Sequence, residues 1–262
     1  MKYLAKILNT VAYKYVIHVG NPKLMNNVMT KIKIPLPPVE VQKEIVEQIE
    51  VKQKAIEAAK AVIENLERER RYFGQSLIRR RQCFGGQGKI KDVEWVELEG
   101  VCTEMFAGGD VPKDYSKTKN DEYKIPIYSN GIGDKSLYGF TKKARVDREC
   151  VTISARGTIG YPEIRKEPFY PAIRLIVAIP KPDVIDTRFL KYILETIKIN
   201  RTGNTIPQLT VPMIKKEKIP LPSLEIQKQL VAEMEEQEKI IEANKKLVGI
   251  MEQKIAEVLS EI

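Results

Sequence analysis

KIKIPLPPVEVQKEIV, at residues 31–46, recurs 185 positions later in the chain as KEKIPLPSLEIQKQLV, at residues 216–231. Over the longer ranges 31–67 and 216–252, seventeen positions are identical, and many others exchange one apolar residue for another. Such self-similarity indicates that one structural unit is used twice. Because an unrelated block separates the two copies, the repeat predicts a symmetric frame around an inserted domain.

Each copy is predicted to contain an extended segment followed by a long helix. Ile-Pro-Leu-Pro is extended because proline fixes its own φ and disfavours a helix in the residue before it. Apolar residues spaced in sevens then predict helices over about residues 39–82 and 225–262, roughly 65 Å and 57 Å long at 1.5 Å per residue. Upstream, YLAKIL at residues 3–8 also resembles FLKYIL at residues 189–194, with a one-residue shift.

Two helices of similar length that each carry an apolar stripe are expected to pair with each other, antiparallel. The simplest reading is an intrachain coiled coil with no further role. Apolar residues beside the seam, such as Val62 and Leu247, widen the stripe, and a wider stripe can also bury a neighbouring chain. The predicted seam residues are Ile49, Ile56, Ile63, Leu66, Phe73, Leu77, Met234, Ile241, Val248, Met251, Ile255 and Val258.

The repeat divides the chain into a first unit at residues 31–82, a glycine-rich linker at residues 83–88, an insert at residues 89–218 and a second unit at residues 219–262. In the insert, strand-like runs alternate with turns before a helical pattern. The runs are WVEL at residues 95–98, KIPIY at 124–128, CVTIS at 150–154 and LIVAI at 175–179, and the helical pattern is TRFLKYILET at 187–196. The expected fold class is therefore α+β, a mixed globular domain flanked by two long helices that form an antiparallel coiled coil.

The net charge of +9 indicates an acidic partner, with nucleic acid the first candidate. The charge is unevenly distributed: residues 92–134 carry ten acids and four bases, whereas residues 135–201 carry fourteen bases and seven acids. Ordinary solvated surface charge is the alternative explanation.

No apolar run approaches the eighteen or so residues that span a bilayer, and no secretion signal opens the sequence. We therefore expect a mature cytoplasmic protein that does not contact a membrane. Three widely spaced cysteines and one histidine do not form the close ligand pairs of a structural zinc site. The thiols are expected to be reduced and the chain to hold no metal.

The sequence contains no recognisable catalytic constellation. Gly88-Lys89-Ile90 lacks both the upstream glycine and the Ser or Thr of a phosphate-binding loop. The single histidine, His18, excludes His-pair metal hydrolysis, and no nucleophile-elbow motif accompanies it. We expect a protein that does no chemistry itself.

The arrangement is similar to the specificity subunits of type I restriction–modification systems. The first copy carries the resemblance through Ile34-Pro35-Leu36-Pro37, Glu40, Gln42 and Lys43, and the second copy repeats these residues 185 positions later. Between the copies, WVEL, then SARGTIG at residues 154–160 and GNTIPQL at residues 203–209 follow the order of that family's target recognition domains. The resemblance covers nearly the whole chain.

The resemblance implies both partners and the absence of a cofactor. Each recognition domain would read one half of a bipartite site in double-stranded DNA, and the helix length would set the gap between halves. The helices would dock adenine-specific methyltransferase subunits, which use S-adenosylmethionine, and through them ATP- and Mg-dependent restriction subunits. This chain would itself carry no cofactor and no catalytic residue.

The chain departs from the usual family pattern because it contains one complete recognition domain, plus residues 1–30, which look like the tail of another. It could be a natural half-subunit that pairs with a second copy, the C-terminal part of a longer gene product, or a truncated product without a working complex. A pair of identical halves would adopt a twofold axis and read an interrupted palindrome.

Lysine and arginine suit phosphates, whereas Arg, Asn and Gln can distinguish bases. The residues predicted to contact phosphates are Lys135, Lys142, Lys143 and Arg145. The residues predicted to lie nearer the bases are Ser129, Asn130, Arg156 and Thr158, with Arg201, Asn204 and Gln208 bordering the loop after the domain's helix.

Two other function classes remain open. One is a helical interaction or scaffold protein that does not read DNA sequence, for which absent or salt-insensitive duplex binding would be the sign. The other is an enzyme with an unrecognised site, which methyl transfer or cleavage by the isolated chain would establish.

Overall fold

The computed structural model describes residues 2–11, 16, 26–83, 93–196 and 208–261. The chain forms two compact units, one of residues 1–67 with 237–262 and the other of residues 68–236. The boundaries between them fall inside the two long helices. The domain boundaries expected from the sequence stay predictions, and the linker beyond Cys83 lies outside the described residues.

The first unit is helical. It contains α1 (Lys2–Val11), α2 (Asn26–Met29), most of α3 (Val39–Cys83) and most of α6 (Leu224–Ser260). The helix bounds agree closely with the predicted 39–82 and 225–262. None of the helices in the described ranges combines the length and the apolar composition needed to cross a bilayer.

The two long helices pack antiparallel, as predicted. Their direction is visible in two ion pairs, Lys60–Glu252 at 3.6 Å and Glu67–Lys245 at 3.5 Å. Moving seven residues forward along α3 moves the partner seven residues back along α6. Since all four side chains are well exposed, each pair contributes little to stability but marks the register.

A small apolar core stabilises the first unit. Tyr3 and Ile7 of α1 pack with Ile45 and Ile49 near the start of α3, all less than 9% exposed. Apolar residues from the end of α6, including Ile255, cover the cluster.

The second unit contains the mixed α+β domain. Its strands are β1 Glu94–Glu97, β2 Cys102–Ala107, β3 Ile125–Tyr128, β4 Leu137–Thr141, β5 Cys150–Ile153, β6 Pro162–Arg165, β7 Tyr170–Pro171, β8 Ile176–Pro180 and β9 Lys218–Leu221. β1 pairs antiparallel with β9, four strands form a sheet in the order β2-β8-β5-β6, and three form a sheet in the order β4-β3-β7. The helices of this unit are the last part of α3, α4 Thr187–Thr196, α5 Val211–Lys215 and the first part of α6.

Two apolar clusters stabilise this unit, and both include residues of β5 and β8. β5 and β8 are buried along their whole length, and α4 lays Phe189, Leu190 and Ile193 against them. Asp186 caps α4, because its Oδ1 accepts hydrogen bonds from the backbone N–H groups of Arg188 at 2.8 Å and of residue 189 at 3.2 Å.

The sequence repeat is also a structural repeat. Gln42 Nε2 donates to the carbonyl of Pro37 at 2.8 Å, and Gln227 Nε2 donates to the carbonyl of Pro222 at 2.8 Å. The copies differ in their extended segments: the second forms β9, whereas the first, at residues 34–37, is not part of a strand.

Candidate nucleic-acid interface

Four loops of the second unit meet at one end of its four-stranded sheet. Ile176, which begins β8, is the register partner of both Ala107 at the end of β2 and Ile153 at the end of β5. β3 ends nearby, since the carbonyl of Tyr128 accepts a hydrogen bond from the backbone N–H of Ala172 at 2.9 Å. The loops that leave these strand ends are residues 108–110, 129–136, 154–161 and 172–175, and together they are named the loop face.

The loop at residues 172–175 has an unusual backbone. Ile173 and Arg174 have φ values of 53° and 64°, in the left-handed region, which costs side-chain-bearing residues about 1–3 kcal/mol each. Their backbone N–H groups donate to the carbonyls of Gly109 at 2.8 Å and Gly108 at 3.2 Å. A Cβ at Gly108 would lie 2.6 Å from the carbonyl of Pro171, so only glycine allows this close approach.

Asn130 joins two of the loops. Its Nδ2 donates to the carbonyl of Ile173 at 2.7 Å, and its Oδ1 accepts from the backbone N–H of Ala155 at 2.7 Å. Beside it, the backbone N–H of Ser129 donates to the carbonyl of Ser136 at 2.8 Å and closes the loop at its base. The amide of Asn130 is therefore engaged within the protein, with one N–H and one oxygen lone pair left over.

Arg156 stands exposed on the loop at residues 154–161. Its Nε and Nη2 donate to Oε1 of Gln208 at 3.2 Å and 2.9 Å. Gly157, with a φ of 67°, gives the loop its turn. The hydroxyl oxygen of Thr158 is buried and has no hydrogen-bond partner among the described residues.

Arg145 and Lys135 border the loop face. The guanidinium of Arg145 lies 4.6 Å from the ring centroid of Phe106, and its Nη1 lies 4.0 Å from the point where a Cβ of Gly109 would stand. Lys135 is exposed in the short turn before β4. The structure thus brings together Ser129, Asn130, Lys135, Arg145, Arg156, Thr158 and Gln208.

The other two predicted phosphate contacts lie elsewhere. Lys142 and Lys143 follow Thr141 at the end of β4, and Thr141 is the register partner of Ile125. Since Ile125 begins β3, these lysines lie at the end of the three-stranded sheet away from the loop face.

Lys142 is held between carboxylates. Its Nζ lies 2.9 Å from Asp114 and also pairs with Glu122. Hydrogen bonds to Asp114 and Glu122 raise the pKa of Lys142 above its ordinary value, and the hydrogen bonds from Lys142 and then Tyr123 lower the pKa of Asp114. A phosphate at Lys142 would compete with these partners.

Other predicted site residues fall outside the described part of the chain, namely Arg201, Asn204 and the side chains of Phe73 and Leu77. Of the predicted seam residues, Ile49, Ile56, Met234 and Ile241 are buried. Met234, however, belongs to the apolar core of the α+β domain. The remaining seam residues are partly buried, and they are Ile63, Leu66, Val248, Met251, Ile255 and Val258.

Sequence reasoning missed two arginines. Arg165 is buried beneath the loop at residues 129–136, where its Nη2 donates to Ser136 Oγ at 2.9 Å and to Glu163 Oε2 at 2.7 Å. Arg174 is exposed on the loop face itself. No sequence motif marks either arginine. The burial of Arg165 and the backbone conformation of Arg174 both depend on contacts with segments distant in the sequence.

The described side chains of the loop face include basic groups and an amide. The described residues hold no cluster of three side chains that could ligate a metal. Burial raises the pKa of Cys102 and of Cys150 to about 12, so neither is a thiolate near neutral pH. Convergent loops with basic and amide side chains suit recognition of an extended anionic partner.

Sequence comparison connects the chain with restriction systems. Residues 1–68 and 90–258 match the family described as the type I restriction modification DNA specificity domain. Two Mycoplasma pneumoniae proteins described as type I specificity subunits, S.MpnORF89P and S.MpnORF507P, are 38% and 34% identical to it over 139 residues. That alignment covers 53% of this chain but 41% and 38% of the relatives, so the chain spans about two fifths of their length.

Solved structures share the fold. The S subunit of a type I restriction–modification system from M. genitalium is 15% identical, with a TM-score of 0.64 over 98% of this chain and 71% of that one. The HsdS subunit from Thermoanaerobacter tengcongensis is 20% identical, with a TM-score of 0.57 over 99% of this chain and 69% of that one. The α+β domain with two long helices is therefore an architecture that these subunits also have.

Proposed function

The chain belongs to the type I restriction–modification DNA specificity family, and from this premise we propose that it reads one half of a bipartite site in double-stranded DNA. Family membership implies DNA target recognition. The observation that carries the finer proposal is the convergence of four loops, with Lys135, Arg145 and Arg156, at one end of the sheet.

The proposed contacts are the residues expected from the sequence, and we propose different roles for those on the loop face and those away from it. On the loop face, Lys135 and Arg145 would neutralise phosphates, and Arg156 would reach base edges, since Gln208 already orients its guanidinium. Ser129, Asn130 and Thr158 line the same surface. Lys142 and Lys143 would be more peripheral phosphate contacts, and Arg201 and Asn204 stay sequence-based proposals.

The long helices are proposed to dock adenine methyltransferase subunits. Both carry large apolar side chains that are exposed despite their pairing, including Val51 at 63% and Ile250 at 50% exposure. Exposed apolar residues on paired helices suit a further protein partner. The methyltransferases would supply S-adenosylmethionine chemistry in the cytoplasm, with ATP- and Mg-dependent restriction subunits joining through them, and this chain would do no chemistry and hold no cofactor.

Duplex binding by the full chain tests the proposal. The probes are a duplex that the chain enriches from a random-sequence library and a scrambled duplex of the same composition. We expect affinity to fall steeply with salt, because phosphate contacts release counterions. Salt-insensitive or absent binding, including in a complex with a methyltransferase, would instead favour the scaffold function.

The variant Arg156→Ala tests whether Arg156 recognises bases or only attracts the DNA backbone. We expect it to weaken binding to the enriched duplex about tenfold, as for the loss of one bidentate base contact, and to weaken binding to the scrambled duplex less. Arg148→Ala is the matched control, since Arg148 is also exposed but lies at the opposite end of β5. Equal losses on both duplexes would reassign Arg156 to a phosphate contact.

A further inference from the structure

We propose that Arg174 is a second sequence-reading side chain of the loop face, and that the amide of Asn130 positions it together with Arg156. This assignment rests on the proposed function. It concerns which side chains discriminate between DNA sequences, not whether the chain binds DNA.

The backbone at Arg174 is the first observation. Two consecutive side-chain-bearing residues, Ile173 and Arg174, are held with positive φ, a conformation that L residues avoid and that clusters at ligand-binding sites. Three backbone hydrogen bonds impose it: the two to Gly108 and Gly109, and a third from Gly108 to the carbonyl of Leu175 at 2.7 Å. The surrounding structure thus fixes where the Arg174 side chain leaves the loop.

The free guanidinium is the second observation. Arg174 is exposed, and among the described residues its side chain forms no hydrogen bond, ion pair or ring contact. The other arginines described between residues 145 and 188 all contact a ring, a carboxylate or an amide, and they are Arg145, Arg148, Arg156, Arg165 and Arg188. The backbone of Arg174 is held in place, and its guanidinium has no partner among the described residues. Such a set of donors is suited to a bidentate acceptor such as the major-groove edge of guanine.

The amide of Asn130 is the third observation. It binds the backbone N–H of Ala155 and the carbonyl of Ile173, each at 2.7 Å. These residues immediately precede Arg156 and Arg174. One planar group therefore holds together the two backbone segments from which the arginines project, as side chains that read neighbouring base pairs require. Asn130 acts through both arginines and is a positioning residue.

The test compares three variants of the full chain on the enriched and the scrambled duplex. Arg174→Ala is expected to lower the ratio of the two affinities about tenfold. Arg174→Lys keeps the charge but loses the fork, so it should retain affinity for the scrambled duplex and still lose discrimination. Arg148→Ala should leave the ratio unchanged.

The variant Arg174→Gly distinguishes a role of Arg174 in recognising DNA sequence from a role in folding. Glycine adopts positive φ without strain, so the melting temperature should hold or rise while discrimination falls about tenfold. If Arg174 served the fold instead, its removal would lower the melting temperature.

Asn130→Asp tests the positioning. An aspartate can still accept from Ala155 but cannot donate to Ile173, so it should reproduce part of the Arg174→Ala loss. The double variant Asn130→Asp/Arg174→Ala should lose little more than Arg174→Ala alone, because coupled residues are not additive. Additive losses would overturn the positioning role.

The outcomes distinguish the two proposals. If Arg156→Ala lowers the ratio but Arg174→Ala and Arg174→Lys do not, the reading role of Arg174 is overturned and DNA recognition stands. If the unmodified chain binds no duplex, the proposed function fails and the assignment of Arg174 fails with it.

Discussion

Arg165 places a guanidinium beneath the loop at residues 129–136, and its side chain is only 8% exposed. Besides Ser136 and Glu163, it donates from Nε to Thr152 Oγ1 at 3.3 Å and lies 3.7 Å from the ring centroid of Tyr128. It therefore ties the four-stranded sheet to the loop that carries Ser129 and Asn130.

We expect Arg165→Leu to lower the free energy of unfolding by about 2–4 kcal/mol, since it leaves buried hydroxyls and a carboxylate without their donor. Denaturant unfolding of the full chain measures this loss. Arg148→Leu, at an exposed arginine, should cost less than about 0.5 kcal/mol. Equal costs for the two variants would show that the buried contacts of Arg165 contribute nothing.

At this scale the sequence predicted residue types better than residue roles. Serine, asparagine and arginine were expected in the loops and are there. Asn130, however, is bound by Ala155 and Ile173, which lie 25 and 43 residues away, and no local pattern encodes such partners. Arg174 was missed because its left-handed backbone arises from packing against Gly108 and Gly109.

At the scale of the elements, the glutamine that occurs in both repeats, Gln42 and Gln227, makes the same local contact in two different environments. Gln227 is fully buried: besides Pro222, its Nε2 donates to the carbonyl of Val184 at 3.0 Å, and its Oε1 accepts from the backbone N–H of Asp186 at 2.8 Å. It thereby joins the start of α6 to the start of α4. Gln42, its counterpart, is only partly buried.

This difference predicts unequal costs for the same substitution. Gln227→Leu should lower the free energy of unfolding by about 2–3 kcal/mol, because it leaves buried backbone groups unpaired. Gln42→Leu removes the shared contact in a partly solvated place and should cost less than about 1 kcal/mol. Thermal and urea unfolding of both variants compare them directly, and similar losses would mean that the additional bonds of Gln227 are not stabilising.

The elements that the sequence predicted are those with a strong local signal. Heptad spacing predicted α3 and α6, amphipathic spacing predicted α4, and apolar runs predicted the buried strands β5 and β8. β2, β4, β6 and β7 were not identified, because their residues mix polar and apolar types without a clear pattern, and β7 has only two residues. The pairing of β9 with β1 joins segments more than a hundred residues apart, which local propensity does not specify.

For the whole molecule, the repeat bears on symmetry. The two repeats within the chain lead into antiparallel helices and share the contact between glutamine and proline. A second molecule of this chain could therefore present matching surfaces. We propose that two molecules of the chain pair about a twofold axis. Each would then present one loop face to one half of the DNA site.

A symmetric pair predicts a symmetric DNA motif. In cells carrying only this chain and its methyltransferase, long-read mapping of methylated adenines should return an interrupted palindrome, because two identical readers address the same half-site on opposite strands. Cells with the methyltransferase alone provide the control and should show no such motif. Arg156→Ala adds a stricter condition, since one substitution is then present in both readers and must relax both half-sites equally. An asymmetric motif, or relaxation of one half only, would show that a different recognition domain reads the other half and would reject the homodimer.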